Sequence, residues 1–250
     1  MTTGLEDQPI LVAIPGTMCA PSVFRRLGER LAERVRLDPV SWMTEPGPWD
    51  LGTVAGRIAV RIADRYTGPV MVLGHSTGGA IAMHLAADHP DLVTGLVVVD
   101  SGAHMHGHGD VDRILATIET AWGPQLRDAV LTRSFATPLE AADRAELLDY
   151  AAAVPQQAVL EALRSQRALD LTPRLAGLTC PATVIHGTLD PTRTPAQARE
   201  LADSIPGARL RLLETGHTPM YEDPDNVAAE VLALLDRVRA TGDGELTGRA

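Results

Sequence analysis

Residues 69–79 read Pro-Val-Met-Val-Leu-Gly-His-Ser-Thr-Gly-Gly, and this stretch decides the fold. Apolar residues lead into a glycine-rich turn, and an alanine-rich helical pattern follows, so the stretch predicts a strand, a sharp turn and a helix. Ser76 lies at the apex of that turn. Gly74 and Gly78 remove side chains that would collide there, which leaves the serine strained and its hydroxyl exposed. The pattern therefore predicts a nucleophilic Ser76 rather than an ordinary strand-to-helix turn.

Composition narrows the class of protein. The chain has 250 residues, of which 45% are hydrophobic, enough to bury the core of one α/β domain with an inserted subdomain. Its formal net charge of -10 argues against nucleic acid and anionic membrane surfaces as partners. No apolar run is long enough to span a bilayer, and residues 1–7 are acidic, unlike a signal peptide. The two cysteines, Cys19 and Cys180, indicate free thiols, so we expect a cytoplasmic protein.

The absence of lysine excludes several kinds of chemistry. All 22 basic residues are arginine. Schiff-base catalysis, a lysine-anchored pyridoxal phosphate and the lysine of a phosphate-binding loop therefore have no residue to carry them.

Strand and helix patterns divide the chain into segments. They alternate over residues 1–101 and again over residues 179–240, which predicts a mostly parallel α/β sheet with right-handed crossovers. Residues 102–178 show no strand pattern, and we interpret them as a helical cap over the active-site edge. Residues 241–250 are polar and predict a flexible tail. The helical patterns of the cap cover residues 111–122, 124–135, 138–154 and 155–169.

A serine hydroxyl needs a base to remove its proton and an acid to orient that base. Because the carboxyl ends of parallel strands meet at one edge of a sheet, we expect both partners directly after strands. Asp190 follows a strand pattern that ends at residue 186, and His217 follows one that ends at residue 213. These positions bring the three side chains to one edge in the order Ser, Asp, His.

With these motifs the chain resembles the α/β-hydrolase family over almost all of its length outside the cap. The resemblance implies that Ser76 attacks an acyl carbon and that His217 takes its proton and later passes it to the leaving group. It implies that Asp190 orients His217 and stabilises its charge. The motifs that carry the resemblance are Gly74-His75-Ser76-Thr77-Gly78, Gly187-Thr188-Leu189-Asp190 and Gly216-His217.

The resemblance also implies an oxyanion hole made of two backbone N–H groups. One belongs to the residue after the serine, Thr77. The other comes from the loop after the first core strand, where relatives usually carry His-Gly and this chain has Pro15-Gly16. We expect Thr17 to supply this second donor, with Met18 as the alternative. Loss of one such donor typically raises the barrier by about 3 kcal/mol.

The family's full sheet begins with an antiparallel hairpin, and this chain has no room for one. Only nine residues precede Ile10, where the first strand pattern begins. We therefore expect a trimmed sheet of six strands, all parallel.

Several residues have competing interpretations. Asp100 also follows a strand, where some relatives carry their acid, so it is the alternative to Asp190. The segment 104–110 alternates histidines and ends in aspartate, a pattern able to chelate a metal, but we favour a flexible entrance to the cap and predict no metal. His75 and His186 fit structural roles better than proton transfer.

We predict a cofactor-independent serine hydrolase that cleaves a carboxylic ester or lactone of a small-molecule acyl substrate through an acyl-enzyme. A thioesterase, a C–C hydrolase, a cyclase or a perhydrolase is the alternative, although haloperoxidase-like relatives often carry phenylalanine where this chain has His75. A non-catalytic ligand-binding receptor is a third hypothesis. The candidate pocket residues of the cap are Met105, Trp122, Phe135 and Tyr150.

Overall fold

The computed structural model describes residues 8–247, with side chains described as far as residue 241. The acidic residues 1–7 and the final three residues of the predicted tail lie outside this range. The last helix, Pro224–Thr247, continues past the predicted tail boundary at residue 241. Once a helix has formed, each added residue gains a hydrogen bond at little cost, so a polar sequence alone does not end it.

Within residues 8–247, six strands form a single parallel sheet in the order β2-β1-β3-β4-β5-β6. The prediction of six strands, all parallel, is therefore confirmed for this part of the chain. The central strands are continuous apolar runs because helices cover both faces of the sheet. The strands are β1 (Ile10–Ile14), β2 (Arg36–Pro39), β3 (Val70–His75), β4 (Val93–Val99), β5 (Ala182–Gly187) and β6 (Arg209–Leu213).

The helices pack in two layers on the sheet. Val12 and Ile14 of β1 face a core shared with α2, α3 and α9, whereas Leu11 and Ala13 face a core shared with α1 and α11. This alternation follows from the two-residue period of a strand. The helices are α1 (Arg25–Leu31), α2 (Leu51–Arg65), α3 (Thr77–Asp88), α4 (Val111–Thr120), α5 (Pro124–Arg133), α6 (Ala141–Ala153), α7 (Gln156–Ala168), α8 (Thr172–Leu175), α9 (Pro195–Asp203), α10 (Pro219–Glu222) and α11 (Pro224–Thr247).

Five helices, α4 to α8, lie between β4 and β5 in the chain. The four predicted helical patterns correspond to α4–α7, and the short α8 was not predicted. Pro124 occupies the first turn of α5, a position at which proline costs no hydrogen bond. Buried residues of α7, such as Ala158 and Ala162, belong to the same hydrophobic core as α2 and α3, so α7 packs directly on the sheet domain.

Two further predictions concern the chain as a whole. Cys19 and Cys180 are both free thiols, as predicted. Within the described residues, no helix combines the length and the apolar character needed to cross a bilayer.

Candidate active site

Ser76 occupies a strained turn between β3 and α3. Its backbone angles are φ 54° and ψ -123°, a region that non-glycine residues rarely adopt. The two glycines of the motif make this turn sterically allowed. A Cβ on Gly74 would lie 2.3 Å from the carbonyl oxygen of Gly78, and a Cβ on Gly78 would lie 2.1 Å from that of Ile14. The predicted strand, sharp turn and helix are all present.

His217 and Asp190 form a direct pair at the same edge of the sheet. His217 Nδ1 lies 2.7 Å from Asp190 Oδ2. Their loops touch closely, since a Cβ on Gly187 would lie 1.9 Å from the carbonyl oxygen of Gly216. The pair fixes the imidazole tautomer with the proton on Nδ1, which leaves Nε2 as the basic nitrogen.

Thr192 extends this pair, and sequence reasoning did not identify it. Its hydroxyl donates to Asp190 Oδ1 at 2.5 Å and lies 2.9 Å from His217 Nδ1. Its backbone N–H donates to the same Asp190 oxygen at 2.7 Å. The only sequence signal is its position two residues after Asp190, where aspartate commonly accepts such a bond in a turn.

Burial and hydrogen bonding shift both pKa values of the pair. Burial alone would raise the pKa of Asp190, but hydrogen bonds from His217 and Thr192 and the nearby His217 charge lower it overall. For His217, burial lowers the pKa, but the hydrogen bond to Asp190 and its negative charge outweigh burial and raise it. Both shifts favour the ion pair of imidazolium and carboxylate.

Ser76 and His217 line one cavity of about 600 Å³ between the sheet edge and the inserted helices. Of the four predicted pocket residues, Met105 and Phe135 line this cavity. Trp122 instead lies against the guanidinium of Arg127, and the Tyr150 hydroxyl contacts Ser41 at 3.2 Å. Much of the remaining wall is apolar and comes from α4, α5 and α7. The cavity therefore suits a small, partly apolar ligand.

The two predicted oxyanion donors lie next to each other. The Thr17 and Thr77 hydroxyls are 2.8 Å apart, and the Thr77 hydroxyl donates to Gln166 Oε1 at 3.0 Å. The Met18 N–H, the alternative donor, points to Met43 Sδ at 3.2 Å and is thus already engaged. Gln166 was not predicted, because nothing in a helical pattern marks one inward-facing amide.

Asp100, the alternative acid, has different partners from Asp190. Its Oδ1 accepts a bond from the Gly187 N–H at 2.9 Å and lies 2.8 Å from His186 Nδ1. Burial raises the pKa of Asp100, an effect that His186 opposes only in part. The structure thus joins Asp190, and not Asp100, directly to His217.

His75 is held in place by its neighbours. Its Nε2 donates to the carbonyl oxygen of His217 at 2.8 Å, and the two rings are 5.1 Å apart. Burial, followed by the charge on His217, lowers the pKa of His75 to about 3. The His75 side chain is therefore neutral, and its hydrogen bond holds the backbone of His217 in place.

The candidate metal ligands fall into two places. His104 contacts Glu200 at 3.4 Å and stacks on His106, whereas His108 faces the cavity, so the histidines of segment 104–110 do not converge. Asp100, Asp190 and His217 hold ligand atoms within 4.8 Å of one another. In this set, however, the Nδ1 proton of His217 already joins it to Asp190. The absence of a metal stays a prediction.

Comparisons with known proteins agree with this architecture. The sequence model of the family described as "Alpha/beta hydrolase family" matches residues 11–230. A pimeloyl-[acyl-carrier protein] methyl ester esterase of Chromobacterium violaceum is 26% identical over 231 residues, covering 86% of this chain and 89% of that protein. Lipase LipV of Mycobacterium tuberculosis is 43% identical over 60 residues, which are 24% of this chain and 23% of that protein. The enol-lactonase structure from Burkholderia xenovorans LB400 superposes with a TM-score of 0.82 at 24% identity, covering 92% of both chains.

Proposed function

Because this chain belongs to the alpha/beta hydrolase family, we propose that it is a cofactor-independent serine hydrolase that cleaves a carboxylic ester or lactone through an acyl-enzyme. One observation carries the proposal: the hydrogen-bonded pair of Asp190 and His217 lines the same edge as the strained Ser76. The methyl ester esterase relative supports an ester as the substrate. The lactonase neighbour is similar in fold alone.

In the proposed mechanism, the Ser76 hydroxyl attacks the acyl carbon while His217 Nε2 takes its proton. Asp190 holds the imidazole through Nδ1 and stabilises the charge that His217 gains. His217 then donates the proton to the departing alcohol, which leaves the acyl group on Ser76. Water, activated by the same imidazole, releases the acid and restores the serine.

The N–H groups of Thr17 and Thr77 are proposed to bind the oxyanion of both tetrahedral intermediates. Backbone donors placed in advance cost no reorganisation when the charge develops, which is why such sites lower the barrier strongly. The hydrogen bonds from Thr17 to Thr77 and from Thr77 to Gln166 tie the two donor segments to α7. Gln166 thereby acts as a positioning residue.

We assign residues 102–178 as a cap and residues 1–101 and 179–240 as the hydrolase core. The cavity supports this division, because its catalytic floor comes from the sheet edge and its apolar wall comes from α4, α5 and α7. We propose a small-molecule acyl substrate for this cavity. That the protein works in the cytoplasm, without nucleic acid or membrane partners, stays a prediction from its charge and its free thiols.

We expect the protein to hydrolyse p-nitrophenyl butyrate, and we expect EDTA to leave the rate unchanged because no step uses a metal. Release of p-nitrophenolate, followed with and without EDTA, measures both. A receptor that kept the three residues would show no turnover, which would overturn the proposal. Labelling by a fluorophosphonate is no substitute, because a receptor with a reactive serine would also be labelled. Loss of activity in EDTA would instead show that a metal takes part, with Asp100, Asp190 and His217 as candidate ligands.

The midpoint of the acid limb in the pH profile of kcat/KM should lie above pH 6.5. His217 must be neutral to act as a base, and its contact with Asp190 raises its pKa above the ordinary value of 6.5. As the pH drops through this raised pKa, His217 becomes protonated and kcat/KM declines tenfold per pH unit. A profile of kcat/KM from pH 5 to 9 measures the midpoint, and a midpoint below 6.5 would contradict the assignment.

A further inference from the structure

Four arginines line the cavity of a protein whose formal net charge is -10. They lie at different depths. Arg113 and Arg133 are exposed at the rim, Arg127 is half-buried, and Arg193 is 5% exposed. Asp110 is a carboxylate among the lining residues, and the carboxylates of Asp190 and Asp100 lie near Arg193. The lining therefore carries more cationic than anionic side chains, the opposite of the chain as a whole.

Within the described part of the chain, none of these four arginines forms an ion pair with a carboxylate. Many arginines elsewhere do pair with a carboxylate, as Arg61 does with Asp38 at 3.0 Å, although some, such as Arg199, do not among the described side chains. The Nε of Arg127 is buried without a hydrogen-bond partner. Since unpaired charge is costly to bury, the buried Arg193 and the half-buried Arg127 favour a ligand that supplies an anionic group.

Arg193 is the deepest of the four and lies beside the catalytic pair. It follows Thr192, whose hydroxyl contacts both Asp190 and His217. Its Nη2 donates to the carbonyl oxygen of His104 at 3.1 Å, and its other amino group packs on Gly102, where a Cβ would lie 2.3 Å from Nη1. These contacts fix the side chain of Arg193 between this cavity and a second, small cavity that Gly102 and His104 line.

The nearby acidic groups do not neutralise Arg193. Asp190 is committed to His217 and Thr192, and Asp100 accepts from the Gly187 N–H. Burial lowers the pKa of Arg193, while the charges of these two carboxylates raise it. The guanidinium stays charged. It also keeps N–H groups free to bind a ligand, because arginine has five N–H groups and the carbonyl oxygen of His104 accepts from only one of them.

Building on the proposed hydrolase function, we propose that the substrate carries a carboxylate in addition to its ester, and that Arg193 binds this carboxylate. The planar guanidinium matches a carboxylate with two parallel hydrogen bonds. The apolar wall from α4, α5 and α7 suits the methylene chain between the two groups. The substrate class is thus a monoester or lactone of a dicarboxylic acid, and Arg193 is a specificity-determining residue.

Two esters with the same leaving group test this proposal. Mono-p-nitrophenyl glutarate carries the second carboxylate, and p-nitrophenyl valerate has the same chain length with a methyl end. We expect the wild-type protein to favour the glutarate ester in kcat/KM. In Arg193→Gln, the ratio of glutarate to valerate kcat/KM should fall roughly 10- to 100-fold, the usual effect of losing a hydrogen bond to a charged group. Arg193→Lys should retain part of the preference.

Arg199→Gln is the matched control, because Arg199 is an exposed arginine on α9 outside the cavity lining. It should leave the ratio unchanged. If Arg193→Gln lowers kcat/KM equally for both esters, Arg193 only supports the structure of the site and the inference is wrong. Wild-type turnover of valerate without a preference for glutarate would also overturn the inference while leaving the hydrolase proposal intact. If the wild-type protein hydrolyses neither ester, both the carboxylate inference and the hydrolase proposal are overturned.

A measurement on the wild-type protein covers the case in which Arg193→Gln does not fold. The monoamide of glutarate should inhibit more strongly than neutral valeramide, and added salt should reduce the difference. Inorganic phosphate serves as a third inhibitor. Stronger inhibition by phosphate than by glutarate monoamide would assign the arginines to a phosphate group and overturn the carboxylate proposal.

Discussion

Replacing Ser76 by alanine is expected to lower kcat for p-nitrophenyl butyrate by roughly 10⁴- to 10⁶-fold, the range seen when the nucleophile of such a group of residues is removed. The reason is that Ser76 supplies the hydroxyl that forms the acyl-enzyme in the proposed mechanism. Some acceleration over water should remain, since the backbone donors and the cavity still bind the substrate. Steady-state kinetics on the purified variant measure the loss.

Two controls show that such a loss is chemical. Ser204→Ala removes a hydroxyl on the distant end of α9, where it bonds only the Leu201 carbonyl, and should keep full activity. Ser76→Ala should melt near the wild-type temperature, because alanine has to adopt the same strained backbone angles as serine. A Ser76→Ala protein that remains folded and keeps more than a tenth of the activity would show that Ser76 is not the nucleophile.

The sheet could be predicted in detail because its signal is local. The run from Val70 to Leu73 is apolar at every position, and such a run is typical of a strand covered on both faces. Glycines then mark the tight turn before α3. Patterns of this kind depend on near neighbours in sequence, so one chain is enough to recognise them.

The cavity wall could be predicted only in part. Trp122 and Phe135 both lie two residues beyond the end of an inserted helix, and of the two Phe135 lines the cavity, while Trp122 packs beside Arg127. Which way a side chain of an inserted helix faces depends on how that helix docks, and the helical period alone does not fix docking. Thr192, Gln166 and Arg193 were missed for the same reason, because their roles arise from contacts between distant segments.

The sequence pattern could not choose between the two candidate acids, and the geometry of the structure separates them. Asp100 and Asp190 both follow strands of one parallel sheet, so pattern alone permits either of them to orient His217. In the structure their surroundings differ. Asp190 contacts His217 Nδ1 at 2.7 Å, whereas Asp100 accepts the Gly187 N–H and lies against His186. The preference for Asp190 thus rests on one interatomic contact, and mutation can test it.

Asp190→Asn is expected to lower kcat by roughly 10³- to 10⁴-fold, whereas Asp100→Asn should change it by less than about tenfold. An amide at position 190 can donate its own hydrogens to Nδ1, which favours the tautomer with the proton on Nε2, where it cannot act as a base. It also removes the charge that raises the pKa of His217, so residual activity should extend to lower pH. At position 100, the amide oxygen still accepts the Gly187 N–H.

Kinetics of both variants at several pH values separate the two acids. The Asp190 variant should show the large loss in kcat together with the shifted acid limb, and a merely destabilising substitution would not shift that limb. The Asp100 variant should shift the limb less than the Asp190 variant, because the Asp100 charge also raises the pKa of His217 but its carboxylate does not hydrogen-bond His217. If Asp100→Asn abolishes turnover and Asp190→Asn does not, then Asp100 is the acid, and the contact between Asp190 and His217 serves only to hold two loops together.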